Sequence, residues 1–119
     1  MANILLVDDD DSVRAFVRRA LEMDGNGVTE ASDGAEAMDA LAGGSFDLVL
    51  SDIQMPVMDG IALALNVARD HPELPVVLMT GYAHQRERAH GIEEIVRDVI
   101  QKPFTLADIR ERIAAVLAG

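Results

Sequence analysis

The chain has 119 residues, no cysteine and a formal net charge of −11 at pH 7, and half of its residues are hydrophobic. This length and composition fit one compact domain, residues 1–119, that buries its own core. The missing cysteines exclude disulfides and thiolate metal sites, and no apolar run has the length of a membrane span or the pattern of a signal peptide. We therefore expect a cytoplasmic protein that contacts no membrane. Its charge repels nucleic acid, so its partner should be a protein, a metal ion or a small phosphorylated donor.

Short apolar runs alternate with amphipathic segments along the chain. A strand is predicted at 3–7 and an amphipathic helix at 11–23. A weaker strand near 28–31 precedes a helix that Asp33 caps and Gly43–Gly44 ends. The inner face of the first helix is expected to consist of Val13, Phe16, Val17, Ala20 and Leu21.

The second half of the chain continues this alternation. Strands are predicted at 46–51, 74–80 and 96–101. A third helix is predicted to begin at residue 60, and residues 83–91 are predicted to form a poor fourth helix with hardly any apolar stripe. The third helix is expected to turn Ile61, Ala64, Leu65 and Ala68 inward. The closing helix carries Leu106, Ile109, Ile113, Val116 and Leu117.

Five strands that alternate with helical segments predict βα units and a parallel sheet, and continuous apolar strands indicate that both faces are buried. Because crossovers are right-handed, the sheet is doubly wound. The fold class is therefore α/β, with the ligand site beyond the carboxyl ends of the strands.

Four of these strands deliver polar or charged residues to that edge. They are Asp8 and Asp9 after strand one, Asp52 after strand three, Thr80 after strand four and Lys102 after strand five. Clustered carboxylates repel one another, and Mg²⁺ removes the repulsion while keeping some of its water. One carboxylate can then stay ionised and attack phosphorus to form an aspartyl phosphate, while the ammonium and the hydroxyl share the charge of the transferring group.

The stretches "LLVDDD", "DLVLSDIQMPVMDGI", "VVLMTGYA" and "VIQKPF" occur in the order and at the spacing of a known family. Over its whole length the chain resembles the receiver domain of bacterial response regulators, the CheY-like three-layer fold with sheet order 2-1-3-4-5. The resemblance implies a receiver of a two-component or phosphorelay system. Asp52 would accept a phosphoryl group from a histidine kinase or histidine phosphotransfer protein, and self-phosphorylation and hydrolysis at Asp52 would be the only catalysis.

The resemblance also implies the roles of the residues around Asp52. Asp9 would bind Mg²⁺ directly, Asp8 would bind it directly or through water, and the backbone carbonyl of Gln54 would complete the ligands. Thr80 and Lys102 would contact the phosphoryl oxygens. Three further positions, Gly60, Gly81 and Pro103, have structural or switching roles by this resemblance or by their chemistry. Gly60 matches a tight-turn glycine, and Lys102–Pro103 matches a peptide bond that is usually cis; Gly81 either leaves room for the phosphoryl group or simply ends a strand.

Val99 departs from the family, which commonly carries a Tyr or Phe at this position that turns inward on activation. A β-branched side chain has few rotamers and no ring to swing. We therefore expect residues 82–95 to be the bistable segment, with Tyr82 as a substitute reporter. The remaining acids of the first loop, Asp10 and Asp11, are expected to be first-turn carboxylates at the positive end of the first helix, and Met55 and Met58 are expected to serve packing.

Three alternatives stay open. Asp8-x-Asp10 followed by Thr and Lys resembles haloacid-dehalogenase-type phosphatases with Asp8 as nucleophile, although a cap domain is missing and "SDIQMPVMDG" would be unexplained. The chain could be a pure binding module that has lost phosphorylation, although all the expected residues are present. It could also be excised from a hybrid histidine kinase or larger regulator, whereas its start at Met1 and its end after the last helix favour a natural single-domain protein.

A single-domain receiver would have to signal by protein contact. In the family, the usual surface for an unknown downstream protein is the face formed by the fourth helix, the fifth strand and the fifth helix. The "TGYA" and "KPF" endings resemble CpdR-type single-domain regulators, which act in controlled proteolysis.

Overall fold

The computed structural model describes residues 1–81 and 94–119, and within these ranges the chain forms five strands and four helices. In chain order they are β1 (Asn3–Val7), α1 (Asp11–Met23), β2 (Gly27–Ala31), α2 (Gly34–Gly43), β3 (Leu48–Asp52), α3 (Gly60–Asp70), β4 (Val76–Thr80), β5 (Asp98–Gln101) and α4 (Leu106–Ala118). The predicted helix at 83–91, Tyr82 and most of the predicted switching segment lie outside the described residues. None of the described helices is long and apolar enough to cross a bilayer.

The strands form one parallel sheet in the predicted order, β2-β1-β3-β4-β5. Leu6 pairs with Leu50, and Leu50 pairs with Val77, so the three central strands are in step. Their carboxyl ends therefore meet at one edge. Strand order reverses direction between β1 and β3, and ligands of doubly wound sheets bind beyond the strand ends at such a point.

Alternate strand residues supply two cores, one on each face of the sheet. Leu5 and Val7 pack on the side covered by α2 and α3, whereas Ile4 and Leu6 pack on the side covered by α1 and α4. Burial on both faces is the reason that these strands are continuously apolar. The result is the predicted three-layer sandwich.

Two of the predicted inner helix faces need correction. Phe16 is 39% exposed on α1 and contacts the ring of Phe104, with centroids 6.1 Å apart. On α3, Leu65 is 52% exposed, whereas Leu63 and Val67 are fully buried. The sequence of α3 is apolar around most of its circumference, so periodicity alone did not define which face points inward. On α4, Ile109 and Ile113 are buried as predicted.

Candidate functional site

Three carboxylates converge beyond the carboxyl ends of β1 and β3. One oxygen each of Asp8, Asp9 and Asp52 lies within 4.8 Å of the others. The register that pairs Val7 with Ser51 places these residues side by side. Asp8 is only 1% exposed and Asp52 only 6%, whereas Asp9 is exposed. Two buried acids and one exposed acid therefore share one small volume, which we call the acidic rim.

The two carboxylate oxygens of Asp8 have different surroundings. Oδ1 accepts a hydrogen bond from the backbone N–H of Asp10 at 2.9 Å. Oδ2 is buried and has no hydrogen-bond partner within residues 1–81 and 94–119, and the nearest ammonium, Nζ of Lys102, is 3.8 Å away. The pKa of Asp8 is raised from 3.8 to about 6, chiefly by burial; the charges of Asp52 and Asp9 contribute to the rise, while the Asp10 N–H and the Lys102 charge oppose it. A buried, unsatisfied carboxylate oxygen is costly, which is a reason to look for a ligand there.

Asp52 is held beside an ammonium group. Nζ of Lys102 donates a hydrogen bond to Asp52 Oδ1 at 2.8 Å. Burial raises the pKa of Asp52, and the hydrogen bond and charge of Lys102 counteract this rise; Asp9 adds to it, and a backbone hydrogen bond with Gln54 lowers it. Lys102 is itself placed by its backbone N–H, which donates to the carbonyl of Thr80 at 2.7 Å. The sheet thus brings the predicted acceptor and the predicted cation into direct contact.

The other predicted residues lie around this pair. Thr80 ends β4 and is fully buried, and Gln54 is exposed two residues after Asp52. At Gly81, an added Cβ would meet only Lys102 Cδ at 3.8 Å among the described atoms, which is an ordinary contact, so packing against them does not require glycine there. The Lys102–Pro103 peptide bond is cis, as the resemblance implied.

The loop between β3 and α3 requires glycine at position 60. A Cβ there would lie 2.2 Å from the backbone oxygen of Asp52 and 2.9 Å from Cα of Ile53, which is closer than packed atoms can approach. The N–H of Gly60 also donates to the Ile53 carbonyl at 2.8 Å. In the same loop, Val57 has a φ of 69° and is 83% exposed. This left-handed conformation is strained for a β-branched residue.

The expected supporting residues have mixed outcomes. Asp10 caps α1, accepting from the N–H groups of Ser12 and Val13, instead of lying in the first turn as predicted. Met55 is buried in the core, in agreement with its expected packing role. Val99 lies in β5 opposite Leu78 and packs partly buried against the core. The described residues do not test the predicted role of Tyr82 as a substitute for the aromatic residue that the family commonly has at position 99.

Two residues near the site were not predicted. Arg14, on α1, donates from Nη1 to the backbone carbonyl of Asp8 at 2.6 Å. Gly34 begins α2 and touches the β3–α3 loop, because a Cβ there would lie 2.6 Å from the carbonyl oxygen of Met58. An arginine on an amphipathic helix looks like any solvated charge in the sequence, and the contact of Gly34 joins segments more than twenty residues apart. Only the tertiary structure shows either role.

The fold and the acidic rim define a class of protein, and comparison with known families agrees. The family model for the response regulator receiver domain matches residues 4–114, so the chain belongs to that family, whose members are the receiver domains of two-component systems. The CheY-like fold predicted from the resemblance is confirmed by the solved structures that superpose on the chain.

Individual relatives show how far the similarity extends. The chain is 40% identical over 113 residues to the DNA-binding transcriptional regulator NtrC of Escherichia coli (strain K12), covering 95% of this chain and 24% of NtrC. It is 36% identical over 114 residues to the response regulator MprA of Mycobacterium sp. (strain KMS), covering 96% of this chain and 50% of MprA. The chain thus spans about a quarter to a half of the length of these relatives.

A solved structure of the response regulator TrrA from Thermotoga maritima, in complex with Mg²⁺-BeF, matches the chain with a TM-score of 0.88 and 27% identity. The match covers 98% of this chain and 99% of TrrA. The similarity therefore includes every strand end that contributes to the acidic rim.

Proposed function

We propose that this receiver accepts a phosphoryl group on Asp52 and signals through protein contacts that depend on that group. The carrying observation is the contact between the buried Asp52 carboxylate and Lys102 at 2.8 Å, inside the cluster with Asp8 and Asp9. An Asp carboxylate is a competent nucleophile toward phosphorus, and a neighbouring ammonium stabilises the charge that develops during transfer. Membership of the receiver family supports the same assignment.

Mg²⁺ fits the oxygen atoms that the acidic rim presents. It prefers hard oxygen ligands and keeps several of its waters, and the buried Oδ2 of Asp8 lacks a hydrogen-bond donor from the part of the chain that the structure describes. The proposed protein ligands are the carboxylates of Asp8, Asp9 and Asp52 and the backbone carbonyl of Gln54. Bound there, the cation would supply positive charge to the transferring phosphoryl group. The relative TrrA has been solved with Mg²⁺-BeF, which supports the choice of metal.

The proposed donor is a phosphohistidine on a histidine kinase or a histidine phosphotransfer protein. A carboxylate oxygen of Asp52 forms a bond to phosphorus while the phosphorus–nitrogen bond breaks, and the released imidazole takes a proton from water. Lys102 exchanges its partner from the carboxylate to a phosphoryl oxygen, and the Thr80 hydroxyl donates to another. Hydrolysis returns Asp52 when water attacks phosphorus and inorganic phosphate leaves.

Acetyl phosphate, a small phosphodonor, tests the proposal. We expect intact-mass spectrometry to show one added phosphoryl group per chain with Mg²⁺, none with EDTA and none in Asp52→Asn. Asp8→Asn distinguishes the phosphatase alternative, in which Asp8 is the nucleophile and many turnovers occur. Label that persists in Asp52→Asn, or multiple turnover that is lost in Asp8→Asn and retained in Asp52→Asn, would overturn the assignment.

The output of this receiver is proposed to be binding of a downstream protein on the face that includes β5 and α4. The helix α4 of the structure is the fifth helix of the sequence prediction, which counts the predicted helix at 83–91 as the fourth. The proposed location is the cytoplasm, and the CpdR-type resemblance suggests a partner in controlled proteolysis. A pull-down with and without beryllofluoride, a phosphoryl mimic, tests the output: a partner must be retained in one state and not in the other.

A further inference from the structure

Arg14 holds the backbone of the acidic rim from the side of α1. Its guanidinium, on a side chain only 17% exposed, donates to three acceptors on different elements. Nη1 reaches the carbonyl of Asp8 at 2.6 Å, Nε reaches Glu30 on β2 at 2.8 Å, and Nη2 reaches Asp11 at 2.6 Å. The guanidinium spreads its N–H donors over three nitrogens in a rigid plane and so reaches three separated acceptors, whereas an ammonium presents its three N–H groups from one nitrogen.

The contact with Asp8 fixes a specific peptide group. The Asp8 carbonyl belongs to the peptide that links Asp8 to Asp9, so its direction determines where the chain places the Asp9 side chain. On the other side of the residue, the Asp8 N–H donates to the carbonyl of Ala31 at 3.1 Å. With the Asp10 N–H on Oδ1, three groups of Asp8 are held, and its Oδ2 lies 3.8 Å from the Lys102 ammonium that also contacts Asp52.

We propose that Arg14 is a positioning residue for divalent cation binding at the acidic rim, acting through the Asp8–Asp9 peptide. This inference rests on the proposed function and adds to it a residue that touches neither the metal nor the phosphoryl group. Partners that orient metal ligands from outside the coordination shell commonly control affinity.

The sign of the change in Mg²⁺ affinity distinguishes a positioning role of Arg14 from an effect of its positive charge. A guanidinium near a cation site repels the cation, so losing the charge alone should tighten Mg²⁺ binding. Losing the hydrogen bond to Asp8 should weaken it, because Asp8 and Asp9 no longer start in the binding geometry. The two explanations for any effect of Arg14 therefore predict opposite signs.

Arg18 provides a matched control on the same helix. It lies one turn beyond Arg14, forms ion pairs with Glu30 and Glu22, and shares Glu30 with Arg14. Its described contacts include none with the acidic rim. Arg18→Ala removes the same charge and disturbs the same glutamate, so its difference from Arg14→Ala reports the contacts that Arg14 alone makes, with the Asp8 carbonyl and with Asp11.

The experiment is a calorimetric titration of Mg²⁺ alone into wild type, Arg14→Ala, Arg14→Lys and Arg18→Ala, with circular dichroism to confirm folding. We expect Arg14→Ala to bind about tenfold more weakly, Arg14→Lys to fall between it and wild type, and Arg18→Ala to bind as well as wild type or slightly better. If Arg14→Ala does not fold, weaker binding by Arg14→Lys is the required result.

If wild type binds Mg²⁺ and the folded Arg14 variants bind it equally well or more tightly, the positioning role of Arg14 is wrong, whereas the proposed metal site is not contradicted. Equal weakening by Arg18→Ala would also overturn it, because the effect would then belong to the shared Glu30. No Mg²⁺ binding by wild type would overturn the proposed metal site and this inference together.

Discussion

The apolar parts of the strands and the residues at their carboxyl ends differ sharply in what they bury. In β3, Leu48, Val49 and Leu50 are fully buried among apolar neighbours, and two residues later Asp52 is a buried carboxylate. β1 shows the same change, from Val7 to Asp8. Apolar burial stabilises the fold by about 25 cal/mol per Å², whereas buried carboxylates oppose it. The apolar strand residues thus stabilise the folded state, whereas the buried carboxylates of the acidic rim destabilise it. Folding stability alone therefore does not account for carboxylates at these positions.

The largest effect is expected at the apolar start of β3. Leu48→Ala should lower the free energy of unfolding by about 2–5 kcal/mol, since it leaves a cavity in a fully buried position at the far end of β3 from Asp52. Urea unfolding measures the loss. The Mg²⁺ affinity of the folded protein should equal that of the wild type. A changed affinity would show that the apolar part of the strand and the acidic rim do not act independently.

Gly60→Ala should affect both regions together. Its Cβ would meet the backbone of Asp52 at 2.2 Å, so the loop has to shift, at a cost of about 1–3 kcal/mol, and Asp52, the proposed acceptor, moves with it. Both the free energy of unfolding, measured with urea, and the rate of phosphorylation by acetyl phosphate should fall. Gly43→Ala is the control, because nothing lies within 4 Å of a Cβ at that helix end; equal effects of the two substitutions would contradict the steric explanation.

Asp8→Asn should stabilise the protein at pH 7 without divalent cations, by about 1–2 kcal/mol. The folded pKa of about 6 lies above the ordinary value of 3.8, so between these values the folded state binds more protons than the unfolded state. This contribution of Asp8 therefore makes the wild type lose stability as pH rises from about 4 to 6, and the loss is complete above that window.

Urea unfolding of wild type and Asp8→Asn across this pH range measures the difference between them. The gain from the substitution should be present at pH 7 and should shrink toward pH 4, where Asp8 is protonated in the folded state and the charged form that burial penalises is absent. Asp9→Asn should give a smaller gain, because Asp9 is exposed. A gain that does not depend on pH would show that the electrostatic cost of the rim does not lie at Asp8.

The smallest effect is expected at the strained loop. Val57→Asn should stabilise by about 0.5–1 kcal/mol, because asparagine tolerates the left-handed conformation better than valine does. Val57 is 83% exposed, so little apolar burial is lost. Val57→Thr keeps the β-branch and should give no gain in the same unfolding measurement; equal gains in both variants would point to polarity in place of strain.

Much of the fold could be predicted because local signals agreed with it. Short apolar strands, caps such as Asp33, and the alternation of strands and helices predicted the parallel α/β sheet, and the resemblance to the receiver family implied its strand order. The helix faces could be predicted less well: the pattern predicts Leu65 inside, but α3 buries Leu63 instead, since alanines and leucines surround that helix.

The site was predictable where it depends on topology and less so where it depends on tertiary contacts. Asp8, Asp52 and Lys102 follow strands whose carboxyl ends must meet, so their proximity follows from chain order. The roles of Arg14 and Gly34 depend on contacts between elements that no local pattern encodes. The predicted switching segment around Tyr82 stays a prediction.

The most direct test of the acidic rim is the effect of Mg²⁺ on the free energy of unfolding at pH 7. A cation that binds the folded state alone stabilises it by an amount that grows with the logarithm of its concentration. Wild type should become more stable as Mg²⁺ is added, Leu48→Ala should gain the same increment from its lower starting point, and Asp9→Asn should gain far less. An equal increment in Asp9→Asn, or none in wild type, would contradict the claim that the carboxylates at the strand ends form a cation site.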